Sequence, residues 1–147
     1  MKLSTRGRYG TRAMLDVALH GAEVPVHLKD IARRQQVSKK YLEHLTSRLE
    51  AAGLLRSVRG AGGGVSLARP ASEIRLSEIL QTLEGPTALV ECADNPEWCP
   101  RSASCATRDI WMEMGQLMSA FLESKTLEDL CHLQREKEQA APGMYHI

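Results

Sequence analysis

Four of the five residues in Gly60-Ala61-Gly62-Gly63-Gly64 are glycine, and this run lies between two short β-patterned segments just behind a helical one. No other stretch restricts the fold as strongly. Leu54–Arg59 and Val65–Ala68 read as strands, with the glycines as the tip of the hairpin that joins them. A phosphate-cradling nucleotide loop is excluded, because no helix opening on Lys-Ser/Thr follows. Ahead of the hairpin, Thr5–His20 carries Ala13, Met14, Leu15, Val17, Ala18 and Leu19 at helical spacing. Leu28–Arg34 reads as a short second helix, and Val37-Ser38 as a turn. Ser38 is a suitable N-cap for a third helix with Tyr41, Leu42, Leu45 and Leu49 on one face, and Gly53 suits its C-cap. Two helices joined by a short turn, followed by a hairpin, make a winged helix-turn-helix. The expected fold class is mainly α with a small β wing.

The charge is divided to match. Residues 1–70 carry 13 Lys/Arg against 5 Asp/Glu, whereas residues 71–147 carry 6 against 13. A basic half is the electrostatic footprint of phosphate contact, and an acidic half faces away from DNA. The N-terminal residues of the third helix should face base edges and phosphates in a major groove. Ser38, Lys39, Lys40 and Tyr41 are therefore candidates for double-stranded DNA contact, Glu43 could accept from a cytosine amino group, and Arg48, Arg59 and Gly60 complete the set. No Ser-His-Asp set or paired carboxylate site supports catalysis, so no enzyme is expected. Met1–Gly10 is basic and polar, and no run approaches the roughly 18 apolar residues of a membrane span. A cytoplasmic protein with no membrane partner is expected.

Four regions follow. Residues 1–85 form the DNA-binding unit, ending with a helix over Leu76–Glu84 that Gly85-Pro86 closes. Residues 86–106 form a loop with three cysteines. Residues 107–131 hold a long helix, Thr107–Leu122, and a short one that starts at the Thr126–Asp129 cap. Residues 132–147 read as a loosely ordered tail. The long helix would measure about 24 Å at about 1.5 Å per residue. Its stripe of Ile110, Met114, Leu117 and Phe121, flanked by Trp111 and Met118, lies outside the winged helix and needs a cover. A second copy of the helix is the economical one, giving a two-fold homodimer.

The loop cysteines are Cys92, Cys99 and Cys105, spaced Cys-x6-Cys-x5-Cys. That spacing is too open for a CxxC redox pair and lacks the paired knuckles of a common zinc site. Clustered thiols in a reducing compartment favour a metal over a disulfide, and soft thiolates select zinc or iron–sulfur centres. Asp94, Glu97 or Glu91 could lend an oxygen. Cys131, flanked by leucines, reads as a buried free thiol.

Met1–Tyr9, Ala13–Leu19, Tyr41-Leu42-Glu43, Ser47-Arg48-Leu49, Gly53-Leu54, Ser57–Gly60, Gly62–Gly64, the three cysteines, Trp111 and Thr126–Leu130 together resemble the IscR/NsrR/RirA-type regulators of the Rrf-two family. The resemblance covers about residues 1–131. It implies a dimeric bacterial winged-helix transcription regulator, with a repressor's role, on a two-fold symmetric operator. It also implies an iron–sulfur cluster, [2Fe-2S] or [4Fe-4S], one per subunit, on Cys92, Cys99 and Cys105. Glu43 takes the place of a base-reading glutamate and Arg59 that of a minor-groove arginine. The two places where such regulators carry a fourth ligand are Arg108 and Arg8 here, and arginine stays protonated. The competing expectation is a winged-helix regulator that senses thiol oxidation or zinc without a cluster.

Overall fold

The computed structural model describes residues 2–141. In chain order it has helices α1 (Thr5–His20), α2 (Leu28–Gln35) and α3 (Lys39–Ala51), strands β1 (Leu55–Val58) and β2 (Gly64–Leu67), then α4 (Leu76–Glu84), α5 (Glu91–Asp94), α6 (Ala106–Ser124) and α7 (Leu127–Ala140). Short 3-10 turns lie at Ala71–Glu73, Pro96–Trp98 and Ser102–Ser104. The mainly helical architecture with one two-stranded wing is the expected class.

Each helix of the first half starts or stops for a local reason. The Ser4 side chain accepts from the Gly7 N–H and opens α1; the Ser38 hydroxyl accepts from Tyr41 N–H at 3.1 Å and opens α3. Both satisfy amides that a helix N-terminus leaves unpaired. Gln36 ends α2 in the left-handed region at φ 55°, and its N–H bonds back into the last turn. Met14 and Val17 of α1, Ile31 of α2, and Leu42, Leu45 and Leu49 of α3 are no more than 1% exposed, and with Leu54, Val65, Ile74, Ile79 and Leu83 they form one core.

An ion pair on a buried carboxylate fixes α2 on α1. The Arg34 guanidinium grips Asp16 with Nε–Oδ2 at 2.9 Å and a second contact at 2.5 Å. Gln35 Nε2 donates to the same carboxylate at 2.8 Å. Burial alone would raise the Asp16 pKa, but the hydrogen bonds from Arg34 and Gln35 and the Arg34 charge hold it below its ordinary value.

The wing pairs antiparallel from Leu55↔Leu67 to Val58↔Gly64. It is not free-standing. Val26, in the link before α2, exchanges two 2.9 Å hydrogen bonds with Val65 on the far side of β2. That close approach requires glycine at 64, where φ is +153° and a Cβ would lie 2.3 Å from the Val26 carbonyl oxygen.

The second half returns to the first. Leu76 N–H donates to Lys125 O at 2.9 Å and Leu127 N–H to Ile74 O at 2.8 Å, a short ladder around the Arg75↔Thr126 bridge. α6 runs antiparallel along α4, with Ser77 bonded to Glu123 near one end and Thr87 Oγ1 2.7 Å from Ser119 Oγ near the other. α7 then buries Leu127 and Cys131 beside α1. Two expectations change here. The short final helix extends to Ala140, so the first nine residues of the expected tail, 132–140, are helical. The reasons are a reciprocal cap between Thr126 and Asp129, a Gln134–Glu138 side-chain bond at 2.8 Å, and a run of good helix formers with no glycine or proline before Pro142. Ala141 follows as the C-cap, and residues 142–147 of that tail lie outside the described residues. The winged-helix core also extends past residue 85, because Leu127 completes it.

Candidate nucleic-acid interface and cysteine loop

The start of α3 and the wing face one another. Lys39, Glu43, Glu50, Ser57, Arg59, Gly60 and Lys29 line a single surface cavity of about 530 Å³. Ser38, Lys39, Lys40, Glu43, Arg48, Arg59 and Gly60 are all exposed, so the N-terminal turn of α3 and the wing tip present charge together. Lys39 Nζ lies 3.5 Å from Glu43 Oε1, an exposed pair one turn apart. Such a pair is weak, about 0–1 kcal/mol, so it leaves Glu43 available for another donor. Tyr41 is different. It is half-buried, packed edge-on to Tyr9 at 6.4 Å and an interplanar angle of 87°. Arg8 and Arg12 of α1 lie 5.7 and 5.2 Å from the Tyr9 ring. This places two α1 cations beside the start of α3. Arg48 sits in the last turn of α3 and is not part of the cavity. Sequence reasoning missed Lys29 and His27, which border the cavity from the start of α2; the only available signal was Lys29's charge just inside that helix.

The cysteine loop is organised by its backbone. Cys92 lies in α5, Cys99 closes the Pro96–Trp98 turn, and Cys105 is the N-cap residue of α6. Each cysteine carbonyl is held: Cys92 O by Arg108 Nε at 2.7 Å, Cys99 O by the Ser102 hydroxyl at 2.9 Å and the Ser102 N–H at 3.1 Å, and Cys105 O by the Arg108 N–H at 3.1 Å. All three thiols are partly exposed and free. A hydrogen bond with Thr107 Oγ1 at 3.2 Å, and the Arg108 amide, favour the Cys105 thiolate and lower its pKa from the usual thiol value. Among the described residues, no group of three or more His, Cys, Asp or Glu side chains is gathered closely enough to hold a metal. The three thiols thus share a loop without sharing a point. Cys131 is buried, and burial raises its pKa.

The face of α6 opposite α4 is apolar and open. Ile110, Leu117 and Phe121 are 53%, 65% and 61% exposed, with Met114 half-buried between them. No residue of α6 is buried. None of the described helices is long and apolar enough to cross a membrane.

Comparison with known proteins bears on both regions. A family model described as Rrf2, iron-dependent transcriptional regulator, matches residues 3–133. The chain is 49% identical over 130 residues to Protein rrf2 of Nitratidesulfovibrio vulgaris Hildenborough, covering 88% of this chain and 87% of that one. Among solved structures it is similar to CymR, the global cysteine regulator of B. subtilis, with TM-score 0.77, 38% identity, and coverage of 90% of this chain and 98% of that one. It is equally similar to T. potens IscR, with TM-score 0.77, 38% identity, and coverage of 97% and 94%.

Proposed function

The chain belongs to the Rrf2 family of iron-dependent transcriptional regulators, and from that premise we propose a homodimeric repressor that reads a two-fold symmetric DNA operator and senses iron–sulfur, redox or nitric oxide status through its cysteine loop. The observation that carries the DNA reading is the single cavity shared by Lys39, Glu43, Arg59 and Gly60. A recognition helix in the major groove with a wing on the adjacent backbone needs the helix N-terminus and the wing tip on one side. Lys39, Lys40 and Arg59 supply charge, Ser38 and Tyr41 border them, Arg48 extends the helix contact, and Glu43 discriminates bases. The open stripe of Ile110, Met114, Leu117 and Phe121 is the dimer seam, which fixes the distance between the two recognition helices.

Cys92, Cys99 and Cys105 would hold the cluster, one per subunit. The donors suit it in kind, being three partly exposed soft thiols, one of them already favoured as thiolate. They supply three ligands, and the described arrangement does not gather them, so holding the group requires the loop to close. Bound there, the cluster would supply a centre open to oxidation or nitric oxide at its fourth position. The loop leaves α4 at Gly85, next to Glu84. That carboxylate accepts from Ser4 and from the Gly7 N–H at 2.8 Å, so loop movement reaches the start of α1, where Arg6 and Arg8 lie.

A second reading has its own support: a regulator that senses thiol oxidation or zinc without a cluster. The separated thiols favour it, as does the likeness to a cysteine regulator. One preparation separates the two. Protein purified without oxygen should be brown, with iron, sulfide and visible absorbance, and should bind operator differently before and after cluster removal at one fixed salt concentration. Colourless protein whose operator affinity changes on thiol oxidation would establish the second reading instead.

A further inference from the structure

We infer that Arg108 is the positioning residue of the cysteine loop, holding the Cys92 segment against the start of α6, which Cys105 caps, while lending the loop positive charge. The inference rests on the reading that the three thiols share one metal centre.

Three observations meet at this residue. Its Nε donates to the Cys92 carbonyl across 16 residues of chain. Its own N–H donates to the Cys105 carbonyl at the N-cap. The residue lines a surface cavity of about 380 Å³ with Cys99, Pro100 and Ser102. Cys105 is the extended N-cap residue immediately before the first turn of α6, and Arg108 lies within that turn. The Cys92 backbone is therefore brought to the start of α6, where Cys105 caps the helix, and Cys99 lines a cavity with the same arginine. No acid lies within 4.0 Å of the guanidinium among the described residues, unlike Arg33, Arg34 and Arg69. Its charge is uncommitted.

The loop needs that charge. Residues 86–106 hold Glu91, Asp94 and Glu97 against Arg101 alone, before any thiol ionises. Gathering three thiolates adds three negative charges at close range, and like charges at short distance oppose one another strongly. An arginine cannot ligate, since it stays protonated, yet its planar fork can bond a carbonyl and remain a cation beside sulfur. Groups that orient ligands in this way tune metal affinity by about 10–100-fold.

The test uses the full chain, reduced, without oxygen, and Co²⁺ alone as the probe, read by its thiolate charge-transfer absorbance. Arg108→Ala should weaken Co²⁺ binding by at least about tenfold, with the far-ultraviolet circular dichroism and the operator affinity of the metal-free protein unchanged. Arg108→Lys, which keeps the charge and one donor, should recover most of that loss. Amide exchange over residues 91–95 should speed up in the metal-free Arg108→Ala protein. Equal Co²⁺ affinity in wild type and Arg108→Ala overturns the inference, as does a loss that Arg108→Lys leaves uncorrected. If wild type binds neither Co²⁺ nor iron, the shared-centre reading fails by itself. The tether is then judged by amide exchange alone, and unchanged exchange at 91–95 refutes it.

Discussion

The winged helix and the α6 arm are built from the same chain by opposite rules. In the first, nearly every large apolar side chain is inside: Met14, Ile31, Leu45 and Leu49 are 0% exposed. In the second, Leu117 and Phe121 are more than half exposed, and within the cysteine loop only Ser102 is buried. The first is basic and the second acidic. The first meets its own requirements within one chain. The second leaves apolar area on α6 exposed and its loop thiols partly exposed. On the proposed reading the difference locates regulation: an arm that takes a partner and a ligand would respond to both, and a finished core to neither.

The strongest way to break this comparison is to remove the ligand site. Replacing Cys92, Cys99 or Cys105 by Ala should abolish bound iron and acid-labile sulfide, whereas Cys131→Ala, in the finished core, should keep both. Iron retention in Cys99→Ala, measured by colorimetric iron and sulfide assay, would remove the loop from the sensor. Next in size is the seam. Burial of one leucine contributes about 1.5–3 kcal/mol, and two copies meet across a two-fold axis, so Leu117→Glu should weaken dimerisation by at least about 100-fold. Sedimentation velocity at micromolar concentration checks it, and operator binding should fall in parallel.

These two expectations differ in how far the residues alone could lead. The α1 boundaries, the Ser38 cap and the α6 stripe were legible, since each is a local pattern of capping or 3.6-residue periodicity. Gln36 was not, because a left-handed residue at a helix end is normally announced by glycine or asparagine. The Val26–Val65 bridge and the Arg75–Thr126 ladder were invisible for another reason: single long-range pairings leave no periodic trace. The long α7 was missed because its last two turns are polar all round, and a polar segment reads as tail until its caps are weighed. At the site, the cysteine spacing was plain, but Arg108 registered only as a residue unable to ligate. Its bond to Cys92 depends on how α5 folds back.

On the core side, the Asp16–Arg34 pair sharpens the contrast. Removing Arg34 leaves the buried Asp16 carboxylate without its main charge partner, though Gln35 still bonds it, so Arg34→Ala should cost about 1–3 kcal/mol in urea unfolding. The Asp16 pKa is depressed below its ordinary 3.8 in the fold. Its contribution is therefore fully present above pH 3.8 and is lost as pH falls below that value through the folded pKa. Asp16→Asn should flatten that acid limb of the stability curve, and an unchanged limb would show that other carboxylates govern it. The smallest effects lie on the DNA face. Lys40→Ala and Arg59→Ala should each reduce the slope of log affinity against log salt by about 1. Glu43→Ala should lower discrimination at one base pair by about 1–3 kcal/mol while leaving the slope nearly intact.

The ladder at Arg75 and Thr126 has a mechanical consequence. The chain leaves the domain at the far end of α4, makes its excursion through loop and arm, and is stitched back at the near end of the same helix. The arm is thus a buckle closed at its base and not a tail. A protease cut anywhere between Pro96 and Ser104 would leave two fragments clasped as one particle, with α7 still seated on α1. A pull on the tip of α6 would be shared between both ends of α4, so torque on the arm would turn that helix about its middle rather than peel it away.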